Sequence, residues 1–273
     1  MQRGIFNNPI ALLVFAITST TSLRATTPFF PAEDSTKRMI AEKIFTEFKQ
    51  SHANLNNTDT ARWIAAKEVA DRLLAVLDKL PKEKNTYLSK DDWDGELVLV
   101  NESARADAWI LPGGKIAVYN RVLSLTQSRA SLAVVLSHEI AHLLLSHGDQ
   151  RMQVILKDYF KGRELAAAFA EKPVETGDFF KLAYGFKEGF GIIGGFSLSE
   201  ELDADQLGSL LMALAGFRPT EAIVFWERMA KLKGTGSEPE LLTMHQLSDK
   251  RMNNLKQKME QIEKQYYRPI NKN

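Results

Sequence analysis

LAVVLSHEIAHLLL, residues 132–145, is the stretch on which the reading of this chain turns. Its apolar flanks imply a buried helix, and imidazoles and carboxylates carried into an interior need partners. Residues four apart on an α-helix lie about 40° apart around its axis, so His138 and His142 share a face and can bind one ion through ring nitrogens. Glu139 is turned by about 100° from His138, the placement of a carboxylate that leaves the metal alone but reaches a water beside it. Zinc lowers the pKa of such a water towards about 7, and a nearby carboxylate can then take its proton as a peptide carbonyl is attacked. The pattern points to a metal on His138 and His142 with Glu139 as general base.

His147 follows five residues after His142, with no glycine between them. If the helix that starts near Ser128 continues past it, His147 falls about 180° from His138 and cannot share its metal. It reads as a helix-end residue. A third ligand must come from elsewhere, and the best candidate is Glu201 in Glu201-Leu202-Asp203-Ala204-Asp205, on the next strong helix, predicted over 198–215. Asp205 shares the face of Glu201 and can orient a ligating histidine through its free ring nitrogen. The competing reading is a solvated acidic helix start that complements the dipole, and spacing alone leaves the two open.

Outward from this centre, residues 35–50 and 60–80 carry apolar positions at helical spacing, the second stretch stopping at Pro81, and predict a supporting layer. Residues 97–100, 108–110 and 115–119 are β-prone, and Pro112-Gly113-Gly114 marks the turn between the last two, which predicts a small antiparallel sheet ahead of the histidine helix. One helix is expected over 152–170, then a Gly-rich apolar segment, 179–196, as a flap or membrane-surface contact. A helix opened by Pro219, a linker over 234–239 and a polar C-terminal helix complete the α+β, mainly helical layout.

The 273 residues contain no cysteine, which removes disulfides, thiolate metal sites and a cysteine nucleophile, so any metal must use histidine and carboxylate. A formal charge of +1, with no basic patch interleaved with aromatics, gives no support for a nucleic-acid partner. Arg3, the apolar run 9–17 and the hydroxyl-rich tract to Ala25 read as an export signal over 1–25, removed or retained as an anchor, with a catalytic domain over 26–273; a transit peptide is the competing reading.

His138 to His142 followed by Glu201 to Asp205 resembles the HtpX and Oma-type membrane-associated zinc metallopeptidases, the gluzincin peptidase family M48. The resemblance extends to residues 108–118, similar to the family's Pro-Gly-Gly strand, to 210–229 and to 244–251, about residues 60 to 260 in all. It implies a zincin-like domain with one Zn2+ held by His138, His142 and Glu201, Glu139 as base and Asp205 orienting a ligand. His245 is similar to a histidine that the family holds near the metal, which implies a part in stabilising the oxyanion or gating the zinc. It also implies an edge strand that aligns an extended substrate. Leu198, Asp107 and Gln246 stand where the family more often has arginine, asparagine and proline, which bears on substrate contacts.

The expected activity is endoproteolysis of misfolded or membrane-associated proteins in the periplasm or cell envelope, a quality-control task. The alternatives are a regulated processing protease at the mitochondrial inner membrane and a zinc-stabilised chaperone or binding module. Glu139 argues against the last, because a structural zinc site has no need of a base.

Overall fold

The computed structural model describes residues 32–52, 54, 56, 58–80, 93–186, 195–236 and 238–269. The expected signal over 1–25 lies outside them, as does 187–194, the centre of the Gly-rich segment.

The architecture is α+β as expected, with helices wrapped around one small sheet. Strands β1 (Leu97–Val100), β2 (Ala108–Leu111) and β3 (Lys115–Tyr119) lie in the order β1-β3-β2. The sheet is mixed, not antiparallel throughout. β2 and β3 form the expected hairpin, with Trp109 opposite Ala117, but β1 runs parallel to β3, with Val98 opposite Ala117. The connection 101–107 has enough reach to carry the chain across two strand spacings, roughly 10 Å, so β3 slots between its predecessors. The hairpin turn needs its glycines. Gly113 and Gly114 have φ of +87° and +78°, and a Cβ on Gly114 would stand 2.9 Å from the Trp93 ring.

All three strands are buried on both faces, which explains why they read as continuous apolar runs without alternation. One face, carrying Leu99, Ile110 and Val118, joins a core with the histidine helix. The other, carrying Val98, Trp109 and Tyr119, packs on Ile40, Ile44, Phe45 and Phe48 of α1 (Ala32–Ser51). Helix α2 (Thr60–Leu74) ends before a short 3-10 turn at Leu77–Lys79. The N-terminal layer is as expected, although Met39 and Ile64 of its apolar pattern are exposed.

After α3 (Asn120–Thr126), the histidine helix α4 (Arg129–Leu144) starts at Ser128, whose side chain accepts from the Ser131 N–H. It does not run past His147. Ser146 takes the left-handed conformation, φ 57°, and α5 (His147–Asp158) leaves at a bend of 49°. The single helix expected over 152–170 is split between α5 and α6 (Leu165–Glu171), and a further helix, α7 (Pro173–Ala183), follows beyond it. The described flanks of the Gly-rich segment point inward: Phe180, Tyr184 and Phe186 pack with the second face of the sheet.

Helix α8 (Leu198–Leu214) opens with a capping box, the Ser197 side chain taking the Glu200 N–H and Glu200 returning to the Ser197 N–H. It lies so close to α4 that a Cβ on Gly208 would sit 3.0 Å from the Ser137 carbonyl and 3.1 Å from the His138 nitrogen. Helices α9 (Glu221–Ala230), α10 (Glu240–Met244) and α11 (Asp249–Tyr266) close the far side. No single described helix is long and apolar enough to cross a membrane.

Candidate metal centre

The close crossing of α4 and α8 brings His138, His142 and Glu201 together below the surface, each no more than 4% exposed. His138 Nε2 and His142 Nε2 are 3.0 Å apart, and Glu201 places Oε2 3.4 Å from the first and Oε1 3.5 Å from the second. Ligand atoms about 2.0–2.1 Å from a tetrahedral zinc lie roughly 3.3–3.4 Å from each other, so this triangle fits such an ion. His245, at the end of α10, joins the group with Nδ1 3.1 Å from His138 Nε2 and 2.9 Å from Glu201 Oε1. Its Nε2 lies 3.1 Å from Glu139 Oε1.

Further charged side chains surround the triangle. Asp205, one turn beyond Glu201, has Oδ1 3.0 Å from His138 Nδ1. Asp205 also takes two hydrogen bonds from Arg251, Nε to Oδ2 at 2.7 Å and Nη2 to Oδ1 at 2.8 Å. The same guanidinium reaches Glu201 Oε2 at 2.5 Å and donates to the His245 carbonyl at 3.1 Å, while lying 4.3 Å from the Trp226 ring centre. Sequence reasoning gave Arg251 no role. Its six-residue spacing from His245 was the available signal, but only the fold shows a wholly buried guanidinium between two carboxylates.

His147 was also misread. The left-handed turn at Ser146 brings it back to His142, with the two Nδ1 atoms 2.8 Å apart, so it is the buried first residue of α5 and not the end of α4. Phe196 stacks on the other side of His142, with ring centres 3.9 Å apart. Asp107, beside β2, spends its carboxylate locally: Oδ2 accepts from Arg105 Nη2 at 2.8 Å and Oδ1 from the Ala108 N–H at 2.9 Å.

The electrostatics fit a cation. Glu139, Glu201 and Asp205 are three buried carboxylates, and Arg251 supplies one fixed positive charge against them. The remainder matches the charge of one divalent ion. Burial alone would raise the Glu201 carboxyl, but Arg251 and His245 hold it well below the ordinary range. Burial would likewise depress His245, yet Glu201 and Glu139 push it up to about 10. His138 is also raised, because Asp205 and Glu201 outweigh its burial, while desolvation holds His142 well down. The same carboxylates that raise His138 and His245 would favour a divalent cation at this position.

A buried helix pair that presents two histidines one turn apart and a facing glutamate, next to a small sheet, defines a zincin-like protein. The sequence pattern of peptidase family M48 matches residues 66–259, and the chain belongs to that metallopeptidase family. It is 28% identical over 193 residues to the mitochondrial metalloendopeptidase OMA1 of Saccharomyces cerevisiae, covering 67% of this chain and 52% of the relative. With the OMA1 of Schizosaccharomyces pombe it shares 30% over 155 residues, covering 55% and 43%. With the beta-barrel assembly-enhancing protease of Yersinia pestis it shares 26% over 171 residues, covering 60% and 34%. The chain thus spans about half the length of these relatives, or less.

Proposed function

We propose that this chain is a zinc-dependent endopeptidase that hydrolyses internal peptide bonds of misfolded or membrane-associated envelope proteins, with one Zn2+ on His138, His142 and Glu201. The observation that carries the reading is the 3.0–3.5 Å triangle of donor atoms with Glu139 on the same helix beside it. Bound zinc would supply an acidified water and polarise the scissile carbonyl. Glu139 takes the proton of the attacking water and passes it to the leaving amine. Asp205 fixes His138, and Arg251 holds Glu201 and Asp205 in register while offsetting their charge. Strand β2 is an outer strand of the sheet and is the surface on which an extended substrate would pair.

His245 has two roles open to it. A donor to the developing oxyanion is one. The other is a gate on the fourth metal position, and the placement of its Nδ1 among the ligand atoms favours this second role.

Location in the periplasm or cell envelope rests on the signal read over 1–25, removed or kept as an anchor of the domain 26–273, with membrane contact through 179–196. A regulated processing protease at the mitochondrial inner membrane is the second reading, supported by relatives named mitochondrial. Fractionation of the native protein with N-terminal sequencing separates these. The chemistry is tested by Glu139→Gln, which should keep its zinc and lose cleavage of unfolded casein by a factor on the order of 10² or more. Equal cleavage by the variant would overturn Glu139 as the base, whereas a zinc-loaded wild type that leaves casein intact would favour a zinc-stabilised chaperone.

A further inference from the structure

His142 and His147 meet through their Nδ1 atoms at 2.8 Å, both buried, with ring planes at 68°. One proton lies between two such nitrogens, and it can belong to either ring. If His147 donates, His142 must carry its own proton on Nε2, the atom that faces His138 and Glu201, and cannot ligate a metal there. If His142 donates, its Nε2 lone pair is free for the ion. Only the second arrangement agrees with the metal site.

We infer that His147 is a positioning residue whose Nδ1 accepts the His142 Nδ1–H and so fixes His142 in the tautomer that presents Nε2 to the metal. The inference rests on the zinc assignment proposed above. It makes the two ligating histidines unlike: His138 faces a carboxylate, Asp205, while His142 faces a neutral imidazole. The surroundings hold the His147 ring in place. Ser146 turns the chain at φ 57°, and the next residue, Gly148, lies flat against Tyr184, where a Cβ would come within 2.5 Å of the ring. The Tyr184 hydroxyl donates to Asp149, and Lys37 pairs with Asp149 at 3.0 Å, which ties this corner to α1. Phe196 closes the opposite face of His142, leaving its ring little freedom to rotate away. The five-residue spacing that excludes His147 as a ligand on a continuous helix is what lets it serve once the helix breaks.

The test uses the full chain loaded with zinc. Long-range proton–nitrogen correlation spectra of the wild-type histidine rings should show His142 protonated on Nδ1 and His147 unprotonated on Nδ1. Chelator competition should show His147→Ala weakening zinc binding by about 10–100-fold, and His147→Asn, which offers a carbonyl acceptor, recovering most of it. A proton on His147 Nδ1, or zinc affinity unchanged in His147→Ala, overturns the inference while leaving the metal site standing. A wild-type chain that binds no zinc overturns both.

Discussion

His138, Glu139 and His142 could be placed from the sequence because their relation is local: helical geometry alone puts two imidazoles on one face and the carboxylate beside them. Glu201 was half legible. Its helix could be read, but whether it faced the histidines or the solvent depended on a tertiary crossing, and the family resemblance decided it. Arg251 and His147 were not legible as partners of the site. The role of Arg251 exists only where α11 meets α8, and that of His147 only because a serine adopts a left-handed turn at a point where helical periodicity predicts continuation. His245 was named from the sequence with two roles, and a single substitution separates them. With His245 as a gate, His245→Ala raises basal cleavage of an unfolded substrate. A fall on the order of 10²–10³ in kcat would identify the oxyanion donor instead.

At the scale of elements, the long helices followed from periodicity and the strand positions from β-prone runs, while strand pairing and the short helices α3, α6, α7 and α10 did not. Three short apolar runs with a Pro-Gly-Gly turn suggest consecutive hairpins, and nothing local reveals that β3 inserts between β1 and β2. The continuous burial of each strand is the consequence of having helices on both faces. The crossing of α4 and α8 is the element-scale feature on which the site depends, and Gly208 permits it. In a solvent-facing helix Gly→Ala would stabilise by about 1 kcal/mol through propensity. Here the added methyl meets the backbone of Ser137 and His138, so Gly208→Ala should instead cost about 1–3 kcal/mol in urea unfolding and weaken zinc binding as Glu201 is pushed outward. A variant more stable than the wild type, with zinc affinity intact, would show that the crossing is not tight.

Across the whole molecule, stability and site are joined by the C-terminal helix α11, which contributes Arg251 at one end and Glu263 near the other. Glu263 accepts from Arg218 Nη2 at 2.8 Å and from the Thr220 hydroxyl at 2.5 Å, fastening the helix to the start of α9. Burial would raise its carboxyl, but these partners hold it below the ordinary value. A depressed carboxylate contributes stability that is present above its unfolded value, about 4.3, and is lost as pH falls through the folded one. Glu263→Gln should therefore be less stable by roughly 1 kcal/mol at pH 7, the pair being partly exposed, with the difference closing below about pH 4. A constant gap from pH 7 to pH 3 would contradict that assignment. The α+β class and the order of the long helices around the site could be anticipated, but the core on both faces of the sheet, the break after α4 and the mixed sheet required the fold, because they depend on contacts far apart in sequence.

In the proposed zinc site, Glu201 is the ligand that joins the two helices. Metal analysis of the purified chain beside Glu201→Gln tests this directly. One zinc per chain in the wild type, with binding to the variant weakened to the point that a competing chelator strips it, is the expected result. Equal zinc content and equal resistance to the chelator in the two proteins would contradict it.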